Sequence, residues 1–232
     1  MRSDEFIDLY KQLEDELETK YSGKKRSSSS VVFEYIKSID SAPVRDELNV
    51  CREIRNLIAH TADIGGEPVV EPSEQIILTL KKILEFVKRP PLALEFATPF
   101  KSILSAHLND DLFSTMAKME KRGFSHIPII DKKRFVGVFS VSTIFSCVLH
   151  DPDVNISEAS TIRDLARLLP PEQHMDNYVF VDADTTREGV KAIFNRMSGQ
   201  NRRVSVIFIT QHGRRDEPLL GMLTPWDIMK PD

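Results

Sequence analysis

The chain has 232 residues and a net charge of −4, from 31 Lys and Arg against 35 Asp and Glu; 41% of it is hydrophobic and 28% charged. These globular values exclude a disordered or fibrous chain, a minimal disulfide scaffold, and a broadly positive surface that holds nucleic acid by counterion release. The two cysteines, Cys51 and Cys147, lie in apolar helical patterns without CxxC spacing, which predicts a reducing compartment and neither a zinc site nor a disulfide framework. The first residues are acidic rather than basic-then-apolar, and no run is long enough to cross a bilayer, so the expectation is a cytoplasmic protein with no leader and no membrane span.

The first third has helical periodicity. Phe6, Leu9, Tyr10, Leu13, Leu17 and Tyr21 recur every three or four residues and form one apolar stripe. The polar run KKRSSSS at 24–30 breaks it, and Val31 to Ile39 starts a second, short helix that ends near Ser41. A third is predicted from Pro43, a favoured first-turn residue, to His60. After a turn at Gly65 and Gly66, the fourth starts behind Ser73 as N-cap and ends at Pro90 and Pro91. The pattern predicts a small antiparallel four-helix bundle over residues 1–90.

Beyond the two prolines the period changes. A helix from Asp110 to Arg122, capped by Gly123, precedes two apolar runs, Ile127–Ile130 and Phe135–Phe139, that read as a hairpin, and a helix follows from Ser140 to Leu149. The same order returns with a strand at Tyr178–Val181, a helix at Thr185–Met197, strands at Val204–Ile209 and Leu219–Leu223, and a helical turn at Thr224–Met229. Gly137 and Gly221 hold matching places in the two copies. The expectation is an α+β chain: the bundle, then two packed β-α-β-β-α repeats at 91–150 and 151–232.

The end of the second copy, GMLTPWD at 221–227, carries the most chemistry. Glycine lets a ligand approach the strand, Thr224 opens a helix start whose N–H groups favour an anion, and Asp227 follows one turn later. A hydroxyl and a carboxylate at one helix start suit a ribose diol with a phosphate beside it. The same spacing also describes an ordinary N-cap with a first-turn acid. Trp226, the only tryptophan, is expected to pack on the neighbouring repeat or a dimer mate.

The block from Phe96 to Phe145 resembles a cystathionine-β-synthase (CBS) domain, and Thr161 to Met229 resembles its partner, through the shared order, hairpin and Gly-x-x-Ser/Thr-x-x-Asp turn. The resemblance implies a regulatory sensor that places AMP, ADP, ATP or S-adenosylmethionine in a cleft between the repeats, with no required cofactor. Thr224 and Asp227 would then hold ribose and phosphate, facing Thr98, Ile103, Phe124, Ser125, His126 and Ile127. In the first copy, GVFSVST at 137–143 keeps Ser140 but has Thr143 in the aspartate's place, which predicts a weaker or differently specific site there. Arg202 and Arg203 could reach phosphates or be solvated at a strand start; His126 could stack on a base or pack.

The third predicted helix ends in EIRNLIAHT at 53–61, where Asn56 and His60 share a face and Arg55 can reach round. This is similar to the Arg-x(4)-His signature of the HEPN superfamily of four-helix domains. The resemblance implies either a polar dimer contact or a metal-independent endoribonuclease in which Arg55 stabilises phosphate charge and His60 acts as acid or base. Residues 1 to 90 carry 14 Lys and Arg against 17 Asp and Glu, a poor general RNA surface. Six scattered histidines give no metal-ligand spacing, and phosphate-loop and nucleophile-elbow motifs are absent. Three functions are therefore weighed: a nucleotide-sensing regulator, a nucleotide-gated endoribonuclease, and an assembly module with empty clefts. Both resemblances imply a homodimer, and neither involves a membrane.

Overall fold

The computed structural model describes residues 2–21, 30–61, 69–132, 134–150, 156–173, 177–195 and 204–229. The run at 24–29, Gly65, Gly66, Met197, Arg202 and Arg203 lie outside the described residues. The chain divides into two compact units, Met1–Pro91 and Leu92–Asp232.

Unit one holds α1 (Arg2–Lys20), α2 (Val31–Lys37), α3 (Arg45–His60) and α4 (Glu74–Lys88). The stripe of α1 is buried as its spacing predicts, with Phe6, Tyr10, Leu13 and Leu17 packed against Val32 and Tyr35 of α2, Leu48 and Cys51 of α3, and Leu80 and Ile83 of α4. Ser73 caps α4 by accepting from the Ile76 N–H at 3.3 Å. Two expectations are corrected. The third helix begins at Arg45 rather than Pro43, because residues 39–41 form a 3-10 turn that Arg45 ties down through the Ser38 carbonyl at 2.7 Å. The bundle is also not antiparallel throughout. Arg2 meets Glu71, Glu5 meets Lys81 at 2.7 Å, and Lys20 donates to the carbonyls of Val87 and Lys88, so α1 and α4 run in the same direction. With only seven residues, α2 is too short for a full return leg, which leaves three long helices among the described residues of this unit.

Unit two opens with α5 (Ala93–Phe96) and β1 (Thr98–Pro99), followed by α6 (Leu112–Arg122), β2 (His126–Asp131), β3 (Arg134–Ser140) and α7 (Val141–His150). After 3-10 turns at 162–168 and 171–173 come β4 (Asn177–Val181), α8 (Arg187–Asn195), β5 (Val204–Ile209), β6 (Gly221–Leu223) and α9 (Pro225–Met229). Asp111 caps α6 through the Ser114 N–H at 2.6 Å, and Gly123, at φ 67°, ends it in the left-handed conformation that glycine takes without strain.

The two repeats exchange their leading segments. β1 joins the second repeat's sheet, in the order β1-β6-β5-β4, with Thr98 opposite Met222 and Pro99 opposite Gly221. Reciprocally, the Leu169 carbonyl accepts from the Val138 N–H of β3 at 2.9 Å, and Ser160 and Ile162 bond to Leu112 and Asp110 at the start of α6. Ala93 bonds to Thr185 near the start of α8 in the same manner. Each repeat has its own core, one around Ile127, Ile129 and Phe139, the other around Val190, Ile207 and Ile209. A further cluster joins them: Ile130, Phe135 and Val138 pack on Val206, Phe208 and Leu219.

Candidate functional site

The turn from β6 into α9 closes on itself. The Thr224 N–H and hydroxyl both donate to Asp227 Oδ2 at 2.8 Å, and the Asp227 N–H donates back to the Thr224 carbonyl at 3.1 Å. The carboxylate thereby satisfies the donors of the N-cap residue and holds its own position. The same arrangement recurs at Thr161 and Asp164, at 2.7 and 3.2 Å, where it starts a 3-10 turn. The bonds alone are therefore capping; any ligand role comes from where the turn lies. Gly221 does not provide the opening expected of it. A Cβ there would lie 3.0 Å from the Ala97 Cβ and 3.2 Å from the Thr98 carbonyl, so β1 occupies that space.

The sheet register sets the neighbours of this turn. The last paired row of β5 and β6 is Ile207 with Leu223, so Thr224 leaves the sheet level with Val206, which pairs with Tyr178 of β4. Thr98 lies opposite Met222, one row short of Leu223. The ring of His126, from the first repeat, stands edge-on to Tyr178 at 5.9 Å, and the Ser125 hydroxyl lies 2.8 Å from His126 Nδ1. In the sequence Tyr178 reads only as a strand residue; its aromatic side chain at the start of that strand is the available signal.

The other expected residues are distributed between the interior and the helix side. Ile127 is buried in the first repeat's core, and Ile103 is buried at the end of the 3-10 turn at 100–102. Phe124 is 42% exposed and, with Ser140, lines an apolar groove of about 820 Å³ between α6 and α7. Trp226 is 74% exposed, so within this chain it does not pack on the neighbouring repeat.

At the first copy of the turn, Thr143 takes the structural part that Asp227 plays in the second. The Ser140 N–H donates to Thr143 Oγ1 at 3.0 Å, and the Thr143 N–H donates to Ser140 Oγ at 3.3 Å. A further contact of 2.8 Å joins the Ser140 and Ser142 hydroxyls. Both Ser140 and Thr143 are buried, so this copy is neutral and faces inward. A neutral hydroxyl pair engaged in its own turn has less to offer a ribose than a carboxylate.

In unit one, the Arg55 NH1 lies 3.4 Å from His60 Nε2 and NH2 lies 4.0 Å from Glu14 Oε1. Arg55 thus reaches His60 as its length predicts. Asn56 faces a small cleft with Arg55, and His60 is exposed. Burial pushes the Glu14 carboxyl above its ordinary range while the Arg55 guanidinium opposes the shift. Among the described residues no group of His, Cys, Asp and Glu could hold a metal ion, and no helix is long and apolar enough to cross a membrane.

A repeated strand–helix–hairpin–helix unit with exchanged leading segments is the arrangement present here, and residues 95–150 match the family model of the CBS domain. No curated protein matches the chain in sequence. Among solved structures, the CBS domain pair of protein MJ0100, in complex with 5-methylthioadenosine and S-adenosyl-L-methionine, is 21% identical with a TM-score of 0.39, over 59% of this chain and 91% of that one. CBSX2 in complex with AMP is 15% identical with a TM-score of 0.43, over 60% and 92%. A putative signal-transduction protein with CBS domains from Burkholderia ambifaria is 14% identical with a TM-score of 0.43, over 60% and 91%.

Proposed function

We propose that Leu92–Asp232 is a paired CBS module that binds an adenine nucleotide or adenosyl ligand at Thr224 and Asp227, and that occupancy biases the helical unit in a nucleotide-sensing regulator. The observation that carries this is the position of the carboxylate-bearing turn, which leaves its sheet level with the Val206–Tyr178 row, where the Tyr178 ring meets His126 of the first repeat. The match over 95–150 supports it from the first repeat's side. Asp227 would accept from the ribose hydroxyls, and Thr98, Ser125 and His126 would border the base. Regulation requires that the ligand bind one state of the helical unit better than another, typically by 1–3 kcal/mol. Calorimetry with AMP, ADP, ATP and S-adenosylmethionine on wild type and Asp227→Ala tests binding, and hydrogen exchange in α1–α4 with and without ligand tests coupling. Absence of heat with all four ligands on wild type would overturn the proposal in favour of an assembly module with empty clefts.

A homodimer belongs to the same proposal. The groove between α6 and α7 is lined almost wholly by apolar side chains, and Phe145, Val148 and Met229 are more than half exposed at corresponding helices of the two repeats. A second copy is the occupant, since each copy presents both helices. The cytoplasm is the proposed compartment, in keeping with two buried thiols.

The approach of Arg55 to His60 favours a second reading, a HEPN-type unit with metal-independent endoribonuclease activity. Arg55 and Asn56 would hold the phosphate and His60 would move the proton. It predicts RNA cleavage that is lost in His60→Ala and altered by the nucleotide; an inactive wild type on varied RNAs, with and without nucleotides, refutes it.

A further inference from the structure

The hairpins of the two repeats differ in the connection between their strands. β2 ends at Asp131 and β3 starts at Arg134, whereas β5 ends at Ile209 and β6 starts only at Gly221. The longer connection is tied down along its length. The Glu217 carboxylate holds His212 and Arg214, the Thr210 N–H donates to the Val181 carbonyl at 3.1 Å, and Leu219 is buried in the cluster that joins the repeats. Arg215 lies between these fixed points.

The Arg215 side chain crosses from its own repeat to the other. NH2 donates to the Val136 carbonyl at 3.1 Å, NH1 pairs with Glu172 Oε1 at 2.9 Å, and Cζ stands 5.5 Å from the Phe135 ring centroid. Val136 is available because the β2–β3 ladder slips there: Ile129 pairs with Gly137 and Ile130 with Phe135, so Val136 has no residue opposite it in β2. Glu172 lies in the 3-10 turn at 171–173, just beyond the Leu169 carbonyl that covers β3. One planar guanidinium, with its donors in a fixed fork, therefore joins three segments: the first repeat's strand, the segment that crosses to it, and the second repeat's loop.

This clasp lies at the opposite end of both hairpins from the Thr224 turn. Arg215 precedes β6 and Thr224 follows it; in the first repeat, Phe135 and Val136 lie near the hairpin turn, whereas His126 pairs with Ser140 at the open end. A column of rings connects the two ends. Phe135 stands 5.1 Å from both Phe180 and Phe208, Phe208 stands 6.3 Å from Tyr178, and Tyr178 stands 5.9 Å from His126. Rings in contact in a close-packed interior convert a change of angle between the repeats into displacement along the column, because the packing has little room to compress.

We propose that Arg215 is a positioning residue for the nucleotide site: by clasping the repeats at the far end of the ring column, it fixes the separation of Tyr178 and His126 near the Thr224 turn. This role rests on the adenine-nucleotide site proposed above at Thr224 and Asp227, and Arg215 acts on it from outside.

The test uses the full chain and two readouts. The side-chain NMR resonances of Tyr178 and His126, assigned through Tyr178→Phe and His126→Gln, are recorded without ligand, and AMP binding is measured by calorimetry. Arg215→Ala is expected to move both resonances and to weaken AMP binding about fivefold, at the lower end of site-to-site coupling. Arg215→Lys keeps the charge opposite Glu172 but not the fork, and should fall between Arg215→Ala and wild type. In the Glu172→Gln background, Arg215→Ala should add less than it does alone, since the two side chains share a contact. If Arg215→Ala does not fold, Arg215→Lys carries the same comparison. Ring resonances that stay at their wild-type positions, or an unchanged AMP affinity, while the unfolding temperature falls, mark a purely structural clasp and overturn the proposal. A wild type that binds no AMP overturns the nucleotide site instead, and the ligand-free resonances then decide alone whether Arg215 sets the two rings.

Discussion

Thr224 and Asp227 are joined twice through one carboxylate oxygen, by the threonine's hydroxyl and by its backbone N–H, each at 2.8 Å. The cap and the proposed ribose contact thus share one side chain, and two substitutions separate them. Asp227→Ala removes both, and loss of an N-cap partner costs about 1 kcal/mol, or roughly 2–4 °C in Tm for a chain of this size. Asp227→Asn keeps an acceptor for Thr224 and removes the charge. The expected outcome is a lowered Tm only for Asp227→Ala, with AMP binding weakened about tenfold or more in both, because a charged acceptor contributes more than a neutral one. Calorimetry and thermal unfolding check the pair; full AMP affinity in Asp227→Asn refutes a charge-dependent site.

Thr143 provides the converse case. Its hydroxyl accepts from the Ser140 N–H, and both residues are buried. Thr143→Val keeps the shape and leaves that N–H without its acceptor, a loss of about 1–3 kcal/mol. Denaturant unfolding is expected to show it, while AMP binding at Asp227 stays unchanged.

Gly137 and Gly221 occupy matching places for a reason that concerns the exchanged segments. A Cβ on Gly137 would fall 2.1 Å from the Leu169 carbonyl oxygen and 2.5 Å from its carbon, both backbone atoms that cannot swing aside. On Gly221 the nearest atoms are 3.0 and 3.2 Å away. Gly137→Ala is therefore expected to cost more than about 2 kcal/mol, within the range for overpacking a well-filled interior, and Gly221→Ala distinctly less. Denaturant midpoints of the two variants give the ranking, and equal midpoints would contradict it.

These glycines also mark what the sequence could and could not disclose. Periodicity located α1, α4, the β2–β3 hairpin and β5, because each buries a face or a short apolar run that local spacing records. It did not disclose that β1 pairs with β6, or that Leu169 covers β3, since pairing between segments distant in the chain leaves no local period. The glycines were visible as a matched pair, but the room they make is filled by the partner segment's backbone. Thr224 and Asp227 were legible because a cap is a local motif; Tyr178 and Glu14 were not, because their neighbours come from distant elements.

Glu217 sits in the loop between β5 and β6 and accepts from the His212 N–H and Nδ1, both at 2.7 Å, and from Arg214 at 2.9 and 3.1 Å. Burial would raise its carboxyl, but these donors prevail and lower it to about 2. A carboxyl depressed in the folded state stabilises above its unfolded value, near 4.3, and that contribution is lost as pH falls toward 2. Carbon-detected NMR titration is expected to place Glu217 well below the other glutamates. Glu217→Gln should lower stability at neutral pH and reduce its fall between roughly pH 4.3 and 2. A midpoint near 4 would refute this network.

Phe145 and Val148, at 59% and 70% exposure on α7, border the α6–α7 groove, and α9 carries Met229 at 71% in the second repeat. Exposed apolar patches of this extent are associated with an interface. If that interface is a second copy, sedimentation equilibrium at micromolar concentration should give twice the 26.5 kDa chain mass. Phe145→Glu places a charge in the buried contact of each copy and should return the mass to that of one chain. Because Phe145 is mostly exposed within the chain, Phe145→Glu should leave the fold intact, with far-UV circular dichroism unchanged. A wild type that sediments at one chain mass, or a Phe145→Glu variant that remains at two, excludes this groove as the dimer contact.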